Sequence, residues 1–107
     1  MSELFSLDNL LAHRDHAGRS YSEFLRVSAM SAGIYVLPVS GNDLQRPHDQ
    51  DEIYYVISGA AKMRLGKEER QVGKGNVIFV EAGLEHRFFD IEQELVLLVV
   101  FAPAEES

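Results

Sequence analysis

Residues 46–59 read RPHDQDEIYYVISG, a polar start followed by an apolar run and a closing glycine. The run 53–57 is rich in β-branched and aromatic residues, which predicts a β-strand, and Ser58-Gly59 predicts its end. Alternate residues of a strand share one face, so a strand that begins near Arg46 points its even-numbered residues inward. This inward face changes from polar to apolar, as at the mouth of a barrel, and its polar members are Arg46, His48, Gln50 and Glu52.

The rest of the chain divides into short strands separated by glycine-rich turns, which is typical of a β-sandwich or β-barrel. A single short helix is predicted near the start, because Ser6 is a suitable N-cap and Leu7, Leu10 and Leu11 recur at helical spacing before Gly18. The other predicted strands are 24–27, 33–37, 61–65, 70–72, 77–80, 86–91 and 95–101.

Composition narrows the class of protein. A chain of 107 residues suits one domain, and the absence of cysteine excludes a disulfide framework and a thiolate metal site, which fits a cytoplasmic protein. A net charge of −7 without a basic patch argues against nucleic-acid binding. No apolar run reaches the roughly 18 residues that a membrane span needs, and the first residues do not resemble a signal peptide.

A third side chain completes a candidate metal site. His86 stands beside the predicted strand 86–91, 34 residues after Glu52. Two imidazoles and one carboxylate on one face of a metal leave other coordination positions open for water or substrate. His48, Glu52 and His86 are therefore expected to bind a metal, provided that the fold brings their two strands together.

The two segments resemble the two conserved motifs of the cupin family. In the first motif, His48, Glu52 and Gly59 stand at the expected spacings, while Arg46 occupies the position of another histidine. In the second motif, Gly75, Gly83 and His86 match, while Glu81 replaces a proline and Asp90 replaces an asparagine.

The resemblance implies an all-β jelly roll, a double-stranded β-helix barrel of two antiparallel sheets with a short N-terminal helix. A single cupin domain would then cover 1–107, with the helical segment at 1–20, the barrel at 21–102 and a tail at 103–107. The resemblance also implies one divalent transition metal (Fe, Mn, Ni, Cu or Zn) on His48, Glu52 and His86, and no other cofactor. A homodimer with a contribution from region 24–37 is expected, and the ligand is expected to be a small molecule.

Other polar residues have competing interpretations. Arg46 is interpreted as a rim cation paired with Asp49 or Asp51, or as an anchor for a substrate carboxylate. Gln50 shares the inward face and either orients a water or faces solvent, whereas Asp49 and Asp51 have outward parity. His13 and His16 are expected to be exposed, and the acidic tail Glu105-Glu106-Ser107 is expected to fray.

Aromatic residues at strand parity usually pack in the core. Tyr54 and Phe88 are also the leading candidates to line a substrate pocket together with Arg46 and Gln50. The full set of large side chains that we expect in the core comprises Met30, Tyr35, Tyr54, Phe79, Phe88 and Phe101.

Three hypotheses of function follow from these residues. The first is a metal-dependent enzyme, either a dioxygenase-like oxidoreductase or an isomerase or lyase that uses the metal as a Lewis acid. No catalytic residue is assigned, since Tyr54 and Glu81 are weak candidates for a general base. The second is a non-catalytic module that binds or senses a small ligand, which would be an anion if Arg46 holds it. The third keeps the fold without a metal and pairs Arg46 with Glu52.

Overall fold

The computed structural model describes residues 2–17, 20–41, 43 and 47–105. The predicted N-terminal helix and the all-β class are both confirmed, and no helix among these residues is long and apolar enough to cross a membrane. Within this part of the chain the elements are α1 Leu7–Ala17, β1 Tyr21–Val27, β2 Met30–Leu37, β3 Asp51–Leu65, β4 Glu68–Gly73, β5 Val77–Val80 and β6 His86–Ala102.

The strands form one continuous antiparallel ladder in the order β1-β2-β6-β3-β4, with β5 paired to the first part of β3. The two sheets expected for the jelly roll are joined because β3, with 15 residues, and β6, with 17, are long enough to run through both. The sheet curls around one core, to which β2, β3, β4, β5 and β6 all contribute buried side chains.

The predicted break at Ser58-Gly59 is wrong, and so is the division of 86–101 into two strands. Pairing with β6 becomes irregular between Val56 and Lys62, and the chain continues as one strand instead of turning. Gly59 has a φ of 103°, and a Cβ at this position would lie 2.2 Å from the carbonyl oxygen of Glu94. Glycine is therefore needed here for the close approach of β6, and the irregularity changes which parity faces the core.

The core contains most of the large side chains expected there. Tyr35, Tyr54, Phe88 and Phe101 are buried, but Met30 is 39% exposed and Phe79 is 60% exposed. Met30 begins β2 next to the β1–β2 turn, and Phe79 has outward parity on β5, where it pairs with the equally outward Ile53. An apolar run alone does not reveal which of its residues point outward, and this explains the error for Phe79.

The strand that contains Glu52 begins later than expected. β3 begins at Asp51 and not near Arg46, and residues 47–50 form an irregular segment. Pro47 has no amide N–H to donate to a strand ladder, which fits this late start. Even so, Gln50 is buried and His48 is half-buried, so the inward direction predicted for both holds without regular strand geometry.

Candidate metal site

His48, Glu52 and His86 converge in the interior of the barrel. Each offers one ligand atom, and these three atoms all lie within 4.8 Å of one another. Strand register alone does not produce this arrangement, because Glu52 pairs with Phe101 and His86 pairs with Leu65, at opposite ends of the β3–β6 ladder. The side chains meet because the sheet curls, as the sequence argument required.

Two hydrogen bonds from backbone amides connect the segments that carry these side chains. The amide of Gly83 donates a 2.7 Å hydrogen bond to the carbonyl oxygen of His48, and the amide of Ala82 donates a 2.8 Å bond to the Asp51 carboxylate. Gly83 adopts a φ of 81°, a conformation that glycine tolerates best. The turn before His86 is therefore fixed directly to the segment that precedes Glu52.

Glu52 is a buried carboxylate at the centre of the candidate site. It is 2% exposed, and neither of its carboxylate oxygens accepts a hydrogen bond within the described part of the chain. Its oxygens face two imidazole nitrogens: Nε2 of His86 lies 3.0 Å from Oε1, and Nε2 of His48 lies 3.8 Å from Oε2. A buried carboxylate without hydrogen bonds is costly, so this group requires a cation: a metal, or a proton on an imidazole.

His86 is 2% exposed and oriented by its own loop. Its Nδ1 lies 2.9 Å from the carbonyl oxygen of Leu84, which accepts a hydrogen bond from the ring N–H, and its Nε2 lies 3.2 Å from the hydroxyl of Tyr54. Burial alone would lower the pKa of His86. The Glu52 carboxylate and the Leu84 carbonyl raise it by more, so the pKa of His86 lies above its usual value. The site thus attracts positive charge even without a metal.

His48 presents the same nitrogen to the centre. Its Nε2 faces Glu52, its Nδ1 lies 3.0 Å from the carboxylate of Glu105, and its ring packs edge-on against Phe101 with centroids 5.0 Å apart. Both histidines therefore have Nδ1 next to an oxygen acceptor and Nε2 directed toward Glu52. Two imidazole nitrogens and one carboxylate form a donor set that suits a divalent transition metal.

The structure places the other predicted pocket residues as follows. Arg46 and the side chain of His16 lie outside the described residues. Gln50 is buried, Tyr54 contacts His86, and Phe88 packs edge-on against Tyr54. Four further residues considered in the sequence analysis have exposed side chains: His13, Asp49, Asp51 and Glu81.

A cavity of about 190 Å³ adjoins His48. None of Gln50, Tyr54 and Phe88 lines it. The hydroxyl of Tyr21 is buried there without a hydrogen-bond partner within the described residues, and its neighbours in the wall are mostly apolar. Among the described residues, the lining consists of Tyr21, Tyr35, His48, Val99, Phe101 and Glu105.

Sequence reasoning missed two carboxylates near the site. Asp43, in the loop after β2, is 8% exposed and accepts hydrogen bonds from the Tyr35 hydroxyl and the Phe88 amide, both at 2.9 Å. Glu105 was expected to fray but contacts His48, and this expectation is wrong. Neither residue belongs to a strand pattern, so nothing in the local sequence marks them.

Comparison with known proteins agrees with this geometry. The family model described as a cupin domain matches residues 33–101. An uncharacterised protein of Streptomyces coelicolor is 46% identical over 101 residues, which cover 94% of this chain and 96% of that protein.

Solved structures support the same fold. The protein TT1209 from Thermus thermophilus has a TM-score of 0.76 at 24% identity and covers 96% of this chain and 99% of its own. A double-stranded β-helix protein from Klebsiella pneumoniae has a TM-score of 0.78 at 18% identity, covering 96% and 91%. The chain therefore belongs to the cupin family and has the cupin jelly-roll fold.

Proposed function

We propose that this cupin holds one divalent transition metal on His48, Glu52 and His86 and acts as a metal-dependent enzyme on a small molecule. The observation that carries the proposal is the pair of buried Glu52 oxygens that accept no hydrogen bond within the described residues and face two imidazole nitrogens. A bound metal would neutralise this carboxylate and satisfy all three groups at once.

Each residue of the site has a role in this proposal. His48, Glu52 and His86 supply the ligand atoms, and Tyr54 keeps a hydroxyl beside Nε2 of His86. A metal held in this way supplies either Lewis-acid polarisation of a carbonyl or enolate or, for iron, oxidative chemistry with O₂. Which metal and which of these reactions occur are separate questions that loading and turnover assays decide.

The cavity beside His48 is the proposed substrate site. Its volume of about 190 Å³ exceeds the roughly 150 Å³ that holds a benzene molecule. Val99 and Phe101 provide apolar walls together with Tyr21 and Tyr35. Because the described wall carries the Glu105 carboxylate, we expect a small, mostly apolar molecule, and the anionic ligand considered from the sequence is less favoured.

A non-catalytic binding module is the second candidate, and the cavity beside His48 has room for a small ligand in either case. Turnover separates the two. Protein loaded with Fe²⁺, Mn²⁺, Ni²⁺ or Zn²⁺ would be mixed with small carbonyl compounds and phenols and followed by NMR and an oxygen electrode. Chemical change that depends on metal supports the enzyme, whereas saturable binding without change supports the binding module.

The metal itself is tested by comparing two histidine substitutions in protein without a His tag. His86→Ala removes a proposed ligand, and His13→Ala, an exposed histidine of α1, is the matched control. We expect near-stoichiometric metal in wild type and in His13→Ala, and at least a 100-fold weaker Kd in His86→Ala, beyond the roughly 10–100-fold range for outer partners. Equal retention in both variants would contradict the proposal.

Homodimer formation and a cytoplasmic location stay predictions. The outer face of β3 and β5, which lies outside the region 24–37 expected from the sequence, supports the dimer because it presents apolar side chains to solvent. Ile53 is 44%, Tyr55 41%, Val77 65% and Phe79 60% exposed, and the ladder pairs Ile53 with Phe79 and Tyr55 with Val77. Burying such a face against a second copy would remove apolar surface from water.

A further inference from the structure

The C-terminal segment after β6 is fixed to the barrel at Glu105. Its backbone amide donates a 2.8 Å hydrogen bond to Oγ of Ser31, a side chain that is fully buried in β2. Its carbonyl oxygen accepts a hydrogen bond from the guanidinium of Arg26 in β1. With the main chain held at both ends of this residue, the carboxylate is presented toward the interior.

The carboxylate of Glu105 has a specific partner. One of its oxygens lies 3.0 Å from Nδ1 of His48, and both side chains are mostly shielded, with 21% and 17% exposure. Arg26 does not compete for this carboxylate, because its guanidinium binds the Glu23 carboxylate and the Glu105 carbonyl instead. The pair is thus not one of several interchangeable surface contacts.

We propose that Glu105 is the positioning residue of the metal site: it keeps the proton of His48 on Nδ1 and directs Nε2 to the metal. The proposal rests on the proposed function, since it assigns how one of the three ligands is held. An imidazole has two nitrogens, and only the one without a proton ligates, so the acceptor at Nδ1 decides which nitrogen faces the metal.

His86 provides an internal comparison. Its Nδ1 donates to the carbonyl of Leu84, two residues earlier in the same loop, and this acceptor is part of the main chain. His48 lies in the irregular segment 47–50, where the structure places a carboxylate from the distant tail in the same position. Both ligands are therefore oriented through Nδ1, one by a neutral oxygen and one by a charged oxygen.

The charge of Glu105 has a second consequence. A carboxylate hydrogen-bonded to a ligating histidine makes the imidazole a stronger donor. Together with Glu52 it also brings two negative charges to the site, which balance the two positive charges of a divalent ion. The position expected to hold a first histidine in the cupin motif is Arg46, so a stronger donor at His48 compensates for a smaller ligand set.

The test compares Glu105→Ala, Glu105→Gln and the control Glu92→Gln, which removes an equal charge from an exposed position of β6. Zn²⁺ affinity is measured on the full chain by competition with a chromophoric chelator. Long-range ¹H–¹⁵N NMR reports which ring nitrogen of His48 carries the proton, with and without Zn²⁺, at about pH 8, above the usual titration range. Both measurements are independent of catalytic activity.

We expect Glu105→Ala to raise the Kd for Zn²⁺ by about 10–100-fold and to shift metal-free His48 away from the Nδ1–H tautomer. Glu105→Gln keeps an oxygen acceptor of the same size but not the charge. It should therefore retain the tautomer and weaken binding less than Glu105→Ala does. Glu92→Gln should match wild type in both readouts.

The outcomes separate this inference from the proposed function. A Glu105→Ala protein with wild-type affinity, or with His48 still in the Nδ1–H form, overturns the positioning role alone. Wild-type protein that binds no Zn²⁺, Fe²⁺, Mn²⁺ or Ni²⁺ overturns the proposed function and this inference with it. Should Glu105→Ala fail to fold, the isosteric Glu105→Gln decides: unchanged affinity counts against the role, and partial loss with the tautomer retained supports it.

Discussion

Two clusters share the interior of this barrel and have opposite energetic roles. The site cluster, His48, Glu52 and His86, combines two buried polar side chains with the half-buried His48. The apolar core on the same strands, represented by Val56, Met63, Leu95 and Leu97, is completely buried without polar side-chain groups. One set of inward positions therefore stabilises the fold, and the other forms the proposed metal site.

The requirements of stability and of metal binding conflict at the site cluster. Full burial of an aliphatic side chain contributes about 1.5–3 kcal/mol, whereas a buried ion without compensation costs several kcal/mol. Changes in the apolar core should thus lower stability without altering the site. Changes at the site should abolish metal binding without lowering the stability of the metal-free protein at a pH above the folded pKa of His86.

The largest effect on stability is expected from Leu97→Ala in the apolar core. Leu97 is 0% exposed, and truncating a buried leucine costs about 2–5 kcal/mol of unfolding free energy. Urea denaturation of the metal-free protein measures this change. The Kd of the folded variant for Zn²⁺ should stay within about twofold of wild type. A larger change in Kd would show that the apolar core also determines metal affinity.

A smaller change of opposite sign is expected from Glu52→Gln. At a pH above the folded pKa of His86, where the neutral imidazole does not compensate Glu52, removing the charge should leave the metal-free protein at least as stable as wild type, with a gain of about 1–3 kcal/mol as the buried charge becomes a neutral amide. The rise in Tm that metal produces in wild type should disappear. A less stable metal-free Glu52→Gln protein would contradict this prediction. It would show that Glu52 stabilises the metal-free barrel through its own contacts.

The next effect is a pH dependence that differs between the metal-free and metal-saturated protein. Because the folded pKa of His86 is raised, its contribution to stability is complete below the unfolded value of about 6.5 and is lost as pH rises through the folded pKa. Metal binding requires the neutral imidazole and so strengthens over the same range. The increase in Tm on adding Zn²⁺, followed by calorimetry, should therefore grow with pH.

A control variant makes the pH prediction specific to the site. Glu52→Gln removes the carboxylate that raises the pKa of His86, so the pH dependence of the metal-free protein should become flatter. If wild type and Glu52→Gln show identical profiles between about pH 6 and 9, the coupling between these two groups does not influence stability.

The smallest effect on stability is expected on the outer face, at Phe79→Glu. Phe79 is 60% exposed in one copy, so the change should alter the stability of the isolated fold by about 0.5 kcal/mol or less. Light scattering should report a dimer for wild type and a monomer for the variant. A wild-type monomer at high protein concentration would refute the predicted dimer and leave the interior clusters unaffected.

Local sequence patterns predicted the fold class and the inward face around Glu52, because strand alternation and turn residues act over a few positions. They did not predict that β3 continues past Gly59, since that depends on the approach of Glu94 from a distant strand. They also missed Asp43 and Glu105, whose partners lie 45 and 57 positions away in the chain, at Phe88 and His48. Contacts of this range are determined by the closed barrel and not by neighbouring residues.

Two sequence motifs predicted the candidate site, and their residues Glu52 and His86 are 34 positions apart in the chain. The structure brings the predicted side chains of both motifs together. The spacing located the side chains but not their orientation. Which ring nitrogen of each histidine faces Glu52 depends on the oxygen atoms of Leu84 and Glu105, and neither is part of a motif.

Anomalous diffraction from crystals of tag-free protein grown with Zn²⁺ tests the central claim most directly. We predict one strong peak at the zinc edge, at ordinary zinc–ligand distances of about 2.0–2.2 Å from Nε2 of His48, Nε2 of His86 and a carboxylate oxygen of Glu52. No anomalous density between these three side chains, in crystals that contain zinc elsewhere, would contradict the claim that the buried carboxylate exists to hold a metal.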